Sequence, residues 1–375
     1  MQLSETLKLY PTEYQRILIT DAMAEYIDTV NSLVSDATSG RSISKITTAD
    51  ISANLPSALT NQCIRDAKSI VKKHYKACHK AVLKNRSLAK RGSNVKVKAP
   101  NLPILKKPCC YVNNQNYKIK NKYIEFPVMI NGKSKRISVL VKLTERQKSL
   151  FSDAKFGTMR IVIKNHTFVA QVVYEVTEPE LKTDGNVMGI DLGIKCPAVS
   201  YCSDGSVKFY GNGRKNKYMR RHYAYLRKKL QASKKIKAVK RIGDKEQRIM
   251  RDIDHKLSHD IVETAISHNV KFIKLEQLQN IRSTTRISRK NNHSLHTWSF
   301  YRLAQFIEYK ARLAGISVEY VNPAYTSQRC PICGSIHHAD DRNYICECGF
   351  HIHRDILGAM NIENSTEFVG NRQTA

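Results

Sequence analysis

Seven residues, Met188-Gly-Ile-Asp-Leu-Gly-Ile194, read as a short buried strand that ends on an acid, Asp191. Gly193, just beyond it, leaves room for another backbone to approach closely. Working outward, Ala198 to Tyr201 and Val207 to Tyr210 are two more short apolar runs, separated by the turn signal Asp204-Gly205, and together they make a β-meander. Val270 to Leu275 is a further apolar strand, with Glu276 immediately after it, and Asp355 opens a helix over Asp355 to Ile362. An acid at a strand end is ordinarily a loop residue, and one at a helix start is ordinarily a dipole-stabilising cap. No single one of the three positions marks chemistry by itself.

Four of the ten cysteines fall just before the last acid, as Cys330-Pro-Ile-Cys333 and Cys346-Glu-Cys348. Two facing knuckles supply four thiolates to a tetrahedral Zn²⁺, and Gly334 and Gly349 allow the tight turns. Four protein ligands leave no open position, so the zinc is structural. Two alternatives stay open: a disulfide pair, or a histidine (His337, His338, His351 or His353) in place of one sulfur, because the second knuckle is C-x-C and not C-x-x-C. The other six, Cys63, Cys78, Cys109, Cys110, Cys196 and Cys202, are scattered, as buried thiols are in a reducing compartment.

The 375-residue chain has 63 Lys/Arg against 32 Asp/Glu, a net charge of +31. Arg65 to Lys107 carries +13 and Arg214 to Arg251 carries +14, while Met1 to Ile64 carries −3. Either strip alone reads equally as a solvated helix face. Two strips holding nearly all the excess favour nucleic acid. Lys72, Lys73, Lys76 and Lys80 in the first, and Arg220, Arg221, Arg227, Lys228, Lys234, Lys235 and Arg241 in the second, are the candidate contacts. Tyr218, Tyr223 and Tyr225 either stack on bases or pack the helix. Neither strip has the broad apolar face of a membrane-surface helix. No apolar run approaches the roughly 20 residues of a membrane span, and Met1 to Tyr10 lacks a signal-peptide core, so a cytoplasmic protein is expected.

The N-terminal half begins with a short alternating piece, Leu7 to Tyr10, then a helix over Thr12 to Ser35. A second helix is expected from Thr47 or Thr48, a third over Leu59 to Leu83, and a linker over Arg86 to Pro108. Period-two stretches follow: Tyr123 to Met129 and Ile137 to Val141 flank Asn131-Gly132, while Met159 to Ile163 and Phe168 to Val176 flank Asn165-His166. These are two hairpins of a barrel-like unit. A helix is expected over Ser299 to Ala314.

Order and spacing of these pieces resemble the TnpB family, transposon-encoded relatives of type V CRISPR effectors. Gly189-Ile-Asp-Leu-Gly193, Ile273-Lys-Leu-Glu-Gln-Leu278 and Arg354-Asp-Ile-Leu-Gly-Ala-Met-Asn-Ile362 are similar to its three RuvC motifs. Leu7-Lys-Leu-Tyr-Pro-Thr12, Leu55-Pro-Ser-Ala-Leu-Thr-Asn-Gln62, Phe306-Ile-Glu-Tyr-Lys310 and Thr326-Ser-Gln-Arg-Cys330 resemble its opening strand, its helical insertion and the run into its zinc element. Gln277 stands where the family often has a second acid, and Gly358 and Met360 vary an alanine-rich stretch.

The resemblance implies an α/β RuvC/RNase H-like nuclease fold with an inserted zinc ribbon, preceded by a β-barrel wedge domain carrying a helical recognition insertion. The corresponding boundaries are 1–10 and 106–180 for the wedge, 11–105 for recognition, 181–322 and 353–375 for the nuclease, and 323–352 for zinc. It implies Asp191, Glu276 and Asp355 as catalytic ligands of two Mg²⁺ ions about 3.5–4 Å apart, with Asp191 bridging. It also implies a guide RNA and double-stranded target DNA as partners, no membrane, a monomer with its RNA, and a nucleoid-associated location. The expected activity is RNA-guided DNA cleavage by two-metal hydrolysis. The rival expectations are a nuclease-inactive guided repressor, a protein acting directly in transposition, and a non-enzymatic zinc-ribbon RNA binder.

Overall fold

A computed structural model of the protein describes residues 1–278, 294–339 and 341–369. The end of the segment expected over 353–375 lies outside them. Two units divide the chain, Met1–Thr177 and Glu178–Ala375.

In the first unit the alternating stretches pair into one antiparallel sheet. Its strands are β1 (Gln2–Tyr10), β2 (Cys109–Val112), β3 (Lys118–Lys120), β4 (Tyr123–Ile130), β5 (Lys133–Val141), β6 (Lys155–Lys164) and β7 (Thr167–Glu175), in the order β2-β6-β7-β1-β5-β4-β3. Both hairpins turn where expected: Asn131 and Gly132 have φ of 51° and 72°, and Asn165 and His166 have 47° and 61°. Positive φ at both central residues gives a turn whose twist matches the flanking strands. β1 extends well beyond Leu7 to Tyr10. It pairs with β7 from Gln2↔Glu175 to Lys8↔Val169 and then with β5 at Leu9↔Val141, so it joins the two hairpins. The sheet is curled, with β2 and β3 as its outer strands.

Helix α1 (Glu13–Thr38) starts at a capping box. The Thr12 hydroxyl accepts from the Gln15 amide at 3.3 Å, and Gln15 Oε1 accepts from the Thr12 amide at 3.1 Å, worth about 1 kcal/mol. The helix expected from Thr47 or Thr48 is only a three-residue 3₁₀ turn, Thr48–Asp50. There the Asp50 carboxylate folds back onto the Thr47 amide and hydroxyl, both at 2.8 Å, and the chain turns extended at Ile51. Helix α2 (Ser57–Lys90) runs past Arg86 into the expected linker. Its first half buries Leu59, Ile64, Ala67 and Val71, and its second half is largely exposed. α3 (Glu145–Ser152) links β5 to β6.

The second unit holds a five-stranded sheet of β8 (Asn186–Asp191), β9 (Ala198–Cys202), β10 (Val207–Tyr210), β11 (Val270–Glu276) and β12 (Ser317–Val321), in the order β10-β9-β8-β11-β12. The first three form the antiparallel meander, and β11 runs parallel to both β8 and β12. Helices α4 (Gly213–Ala232), α5 (Ile236–Ile242) and α6 (Lys245–Ser267) lead into β11; α7 (Phe300–Leu313) precedes β12, and α8 (Arg354–Asn364) comes last.

Strand parity then positions the site. Met188, Ile190, Ile273 and Leu275 are fully buried in one core with Leu257 and Ile261 of α6 and Leu303 and Ile307 of α7. Successive strand residues face opposite sides, so Gly189, Asp191, Lys274 and Glu276 face the other layer, which is α8. A Cβ on Gly189 would collide with the Ala359 carbonyl oxygen and the Glu363 amide. This glycine is what lets α8 lie directly on β8. A small hairpin, β13 (Asn343–Ile345) with β14 (His351–His353), carries the second cysteine knuckle between its strands.

Candidate active site and metal centre

The parallel register places Leu275 beside Ile190, so one residue further on Glu276 stands beside Asp191. The start of α8 brings Asp355 to the same face. Gly358, one turn later, permits this: a Cβ there would sit 3.3 Å from both Cγ and Oδ2 of Asp191. Asp191, Glu276 and Asp355 line one open cleft of about 1180 Å³ together with Lys195, Trp298, Thr326, Arg342 and Arg354. The close approach expected at Gly193 comes from the same loop, since its Cβ would lie 2.6 Å from the Cys196 carbonyl oxygen.

Asp355 does not cap its own helix. His353 does, its Nδ1 accepting from the Asp355 amide at 3.2 Å. The Asp355 carboxylate is left to pair with the Arg342 guanidinium. Burial, followed by the charges of Glu276 and Asp355, pushes the Asp191 carboxyl well above its ordinary range, with Arg342 and Arg354 only partly opposing. Burial raises Glu276 to about 7, against the lowering effect of the hydrogen bond donated by the Thr326 hydroxyl. Burial thus leaves Asp191 and Glu276 undercompensated, while Asp355 is paired with Arg342. Carboxylate oxygens are the ligand type of a hard divalent cation, and these three acids are the residues in the cleft that could hold one.

The four expected sulfurs do come together. Cys330 Sγ lies 3.6 Å from Cys348 Sγ, Cys333 Sγ lies 3.4 Å from Cys346 Sγ, and all four fall within 4.8 Å of one another. A Zn–S bond of about 2.3 Å in a tetrahedron needs sulfurs about 3.8 Å apart. All four are free thiols. Hydrogen bonds from Ser335 help pull the Cys333 thiol down to about 6, toward the thiolate a metal needs. Among the described residues no histidine joins the cluster. The set can hold zinc.

The basic candidates separate by exposure. Lys72, Lys73, Lys76 and Lys80 on α2, and Arg221, Lys228, Lys234, Lys235 and Arg241 in the second strip, face solvent. Arg220 is partly buried, with Nη2 3.5 Å from Ser299 Oγ, and Arg227 is ion-paired with Glu246. Tyr218 and Tyr225 are exposed, whereas Tyr223 packs inward. No described helix is long and apolar enough to cross a membrane.

Sequence reasoning missed Thr326, Arg342, Lys274 and Asn361. Thr326 and Asn361 lie inside quoted motifs but carry no chemistry of their own. Arg342 sits in the turn between the knuckles. Lys274 faces α8 and donates to the carbonyls of Glu363 and Ser365 at 2.8 and 2.9 Å, fastening the end of that helix to β11.

Comparison with known proteins follows the same division. Residues 171–282 match the family model described as "Probable transposase", and residues 300–362 match that of the "Cas12f1-like, TNB domain". A TnpB-like protein of Methanocaldococcus jannaschii is 30% identical over 257 residues, covering 64% of this chain and 91% of that one. The putative RNA-guided DNA endonuclease InsQ of Escherichia coli is 28% identical over 272 residues, 59% of this chain and 63% of that one. Among solved structures, Cas12f1 in its complex with guide RNA and target DNA superposes with a TM-score of 0.68 over 94% of this chain and 84% of that one, at 16% identity. That likeness concerns the fold, which is RuvC-like with an inserted element that carries the four cysteines. Through the 91% of the Methanocaldococcus protein that it matches, the chain belongs to the TnpB family.

Proposed function

We propose that the chain is an RNA-guided DNA endonuclease encoded by a transposable element, and that Asp191, Glu276 and Asp355 are its catalytic carboxylates. The observation that supports this reading is the meeting of three acids from three separate elements, β8, β11 and α8, in one cleft, with Asp191 and Glu276 buried there.

Asp191, Glu276 and Asp355 are the residues that would hold Mg²⁺ in this cleft. Bound there, the ions supply a nucleophile at neutral pH and stabilise the leaving 3′ oxygen of a phosphodiester. The remaining work falls to the chain. Thr326 holds the Glu276 carboxylate in place. Arg342, released from Asp355, and Arg354 offer guanidinium groups to the phosphate in the same cleft. Lys195 lines that cleft as a point charge for the backbone.

The exposed lysines of α2 and the exposed basic residues of α4 and α5 would hold the guide–target heteroduplex by its phosphates, leaving sequence choice to base pairing. In this reading 1–10 with 106–180 is the wedge, 11–105 recognition, 181–322 with 353–375 the nuclease, and 323–352 the zinc insertion. The protein works as a monomer with one RNA, in the cytoplasm on nucleoid DNA. Sequencing the RNA that co-purifies with the protein tests the guided reading against direct transposition. A discrete transcript from the gene's own 3′ flank supports guiding; only random cellular RNA would overturn it.

A further inference from the structure

We propose that Thr326 and Asn361 are positioning residues that tie Glu276 to the zinc element, so that the first cysteine knuckle sets how well the acid site holds its divalent cations. This deepens the nuclease reading and rests on it.

Thr326 is 9% exposed and lies between β12 and the first knuckle. Its hydroxyl has one hydrogen to give. The nearer acceptor is Glu276 Oε1; the alternative, the Pro323 carbonyl, is 3.4 Å away. One carboxylate oxygen is therefore fixed by the protein, and the other is left for a ligand. The backbone of Thr326 is held in turn from α8. Asn361 Nδ2 donates to the Thr326 carbonyl at 2.7 Å and to the Arg329 carbonyl at 2.8 Å.

Arg329 precedes Cys330, whose sulfur belongs to the zinc cluster. One side-chain amide thus clamps both ends of a four-residue loop. The loop runs from the residue that orients Glu276 to the residue before the first zinc ligand. The same helix carries Asp355 at its start. The Thr326 hydroxyl is engaged with Glu276 and the Asn361 amide with the two loop carbonyls, so in this proposal both act through Glu276. Partners of this kind behind a metal ligand typically govern affinity by about 10- to 100-fold.

The test uses the full-length chain with its zinc in place and Mn²⁺ as the probe, with free Mn²⁺ read by electron paramagnetic resonance and zinc by release to a colorimetric chelator. Thr326→Val keeps the shape and removes the hydroxyl. It should weaken Mn²⁺ binding by about tenfold or more while retaining one zinc per chain. Thr326→Ser should restore the affinity. Asn361→Ala should weaken Mn²⁺ comparably and release zinc faster. A loss of less than threefold in Thr326→Val, no rescue by serine, or zinc release unchanged in Asn361→Ala would overturn the proposal. Its failure is separable from that of the nuclease reading. If Asp191→Ala abolishes Mn²⁺ binding while Thr326→Val leaves it intact, only the brace is wrong; if the wild type binds no Mn²⁺, both are.

Discussion

Substituting Glu276 by glutamine should make the Mg²⁺-free protein more stable, not less. Burial raises the Glu276 carboxyl from 4.5 to about 7. The sign follows from proton counting. Between those two values the folded chain keeps a proton that the unfolded chain has lost, so stability falls as pH rises. The full penalty, about 3 kcal/mol at about 1.4 kcal/mol per tenfold change in proton affinity, is present above pH 7 and absent below 4.5. Asp191, raised in the same direction, adds to it. Glu276→Gln removes the Glu276 share and keeps an oxygen that can accept from Thr326. In Mg²⁺-free buffer at pH 8, with zinc left in place, the variant should melt about 5–10 °C above the wild type for a unit of this size. The gap should close as pH falls through 7 to 4.5. Added Mg²⁺ should stabilise the wild type and not the variant. Equal melting temperatures at pH 8, or a gap that persists at pH 4.5, would refute the claim that the site is a cluster of undercompensated charge.

Three further outcomes are expected. Gly189→Ala forces a methyl group into the α8 backbone; it should cost upwards of about 3 kcal/mol, the high end for overpacking, and be seen in chemical denaturation. Cys333→Ser should lower zinc, measured by elemental analysis, from one atom per chain toward none and leave the knuckle region protease-sensitive. Replacing Lys72, Lys73, Lys76 and Lys80 together by glutamine should weaken nucleic-acid binding and reduce its salt dependence by up to about 0.9 per lost duplex phosphate contact, with little change in melting temperature because all four are exposed.

The elements with strong local signals could be read from sequence. Asn131-Gly132 and Asn165-His166 announce their turns because both central residues adopt positive φ, and Thr12 announces a helix start because its hydroxyl satisfies an orphan amide. The positions of the three acids at two strand ends and a helix start could be read from patterns of period two and 3.6, while their belonging to one site was implied by the family resemblance. What escaped depends on long-range contact. β12 is five residues between Gly315 and Asn322-Pro323, too short to be told from a loop by pattern alone, and it is a strand because it pairs with β11. After Thr47 the start signal is real, since Asp50 closes a capping box on Thr47, yet only one 3₁₀ turn follows it. Asp355 looked like a cap, and only the structure shows His353 taking that role. Arg220 and Arg227 were indistinguishable from their exposed neighbours until their partners, Ser299 and Glu246, were brought up by folding.

Cleavage of a matched DNA by the purified protein–RNA complex tests the central claim most directly. With Mg²⁺ present, the wild type should cut DNA that pairs with the bound RNA and spare a mismatched duplex. Asp191→Ala should bind the same target with unchanged affinity and lose several orders of magnitude in cleavage rate. Cutting by Asp191→Ala at the wild-type rate, or wild-type cutting that ignores the RNA sequence, would contradict the account.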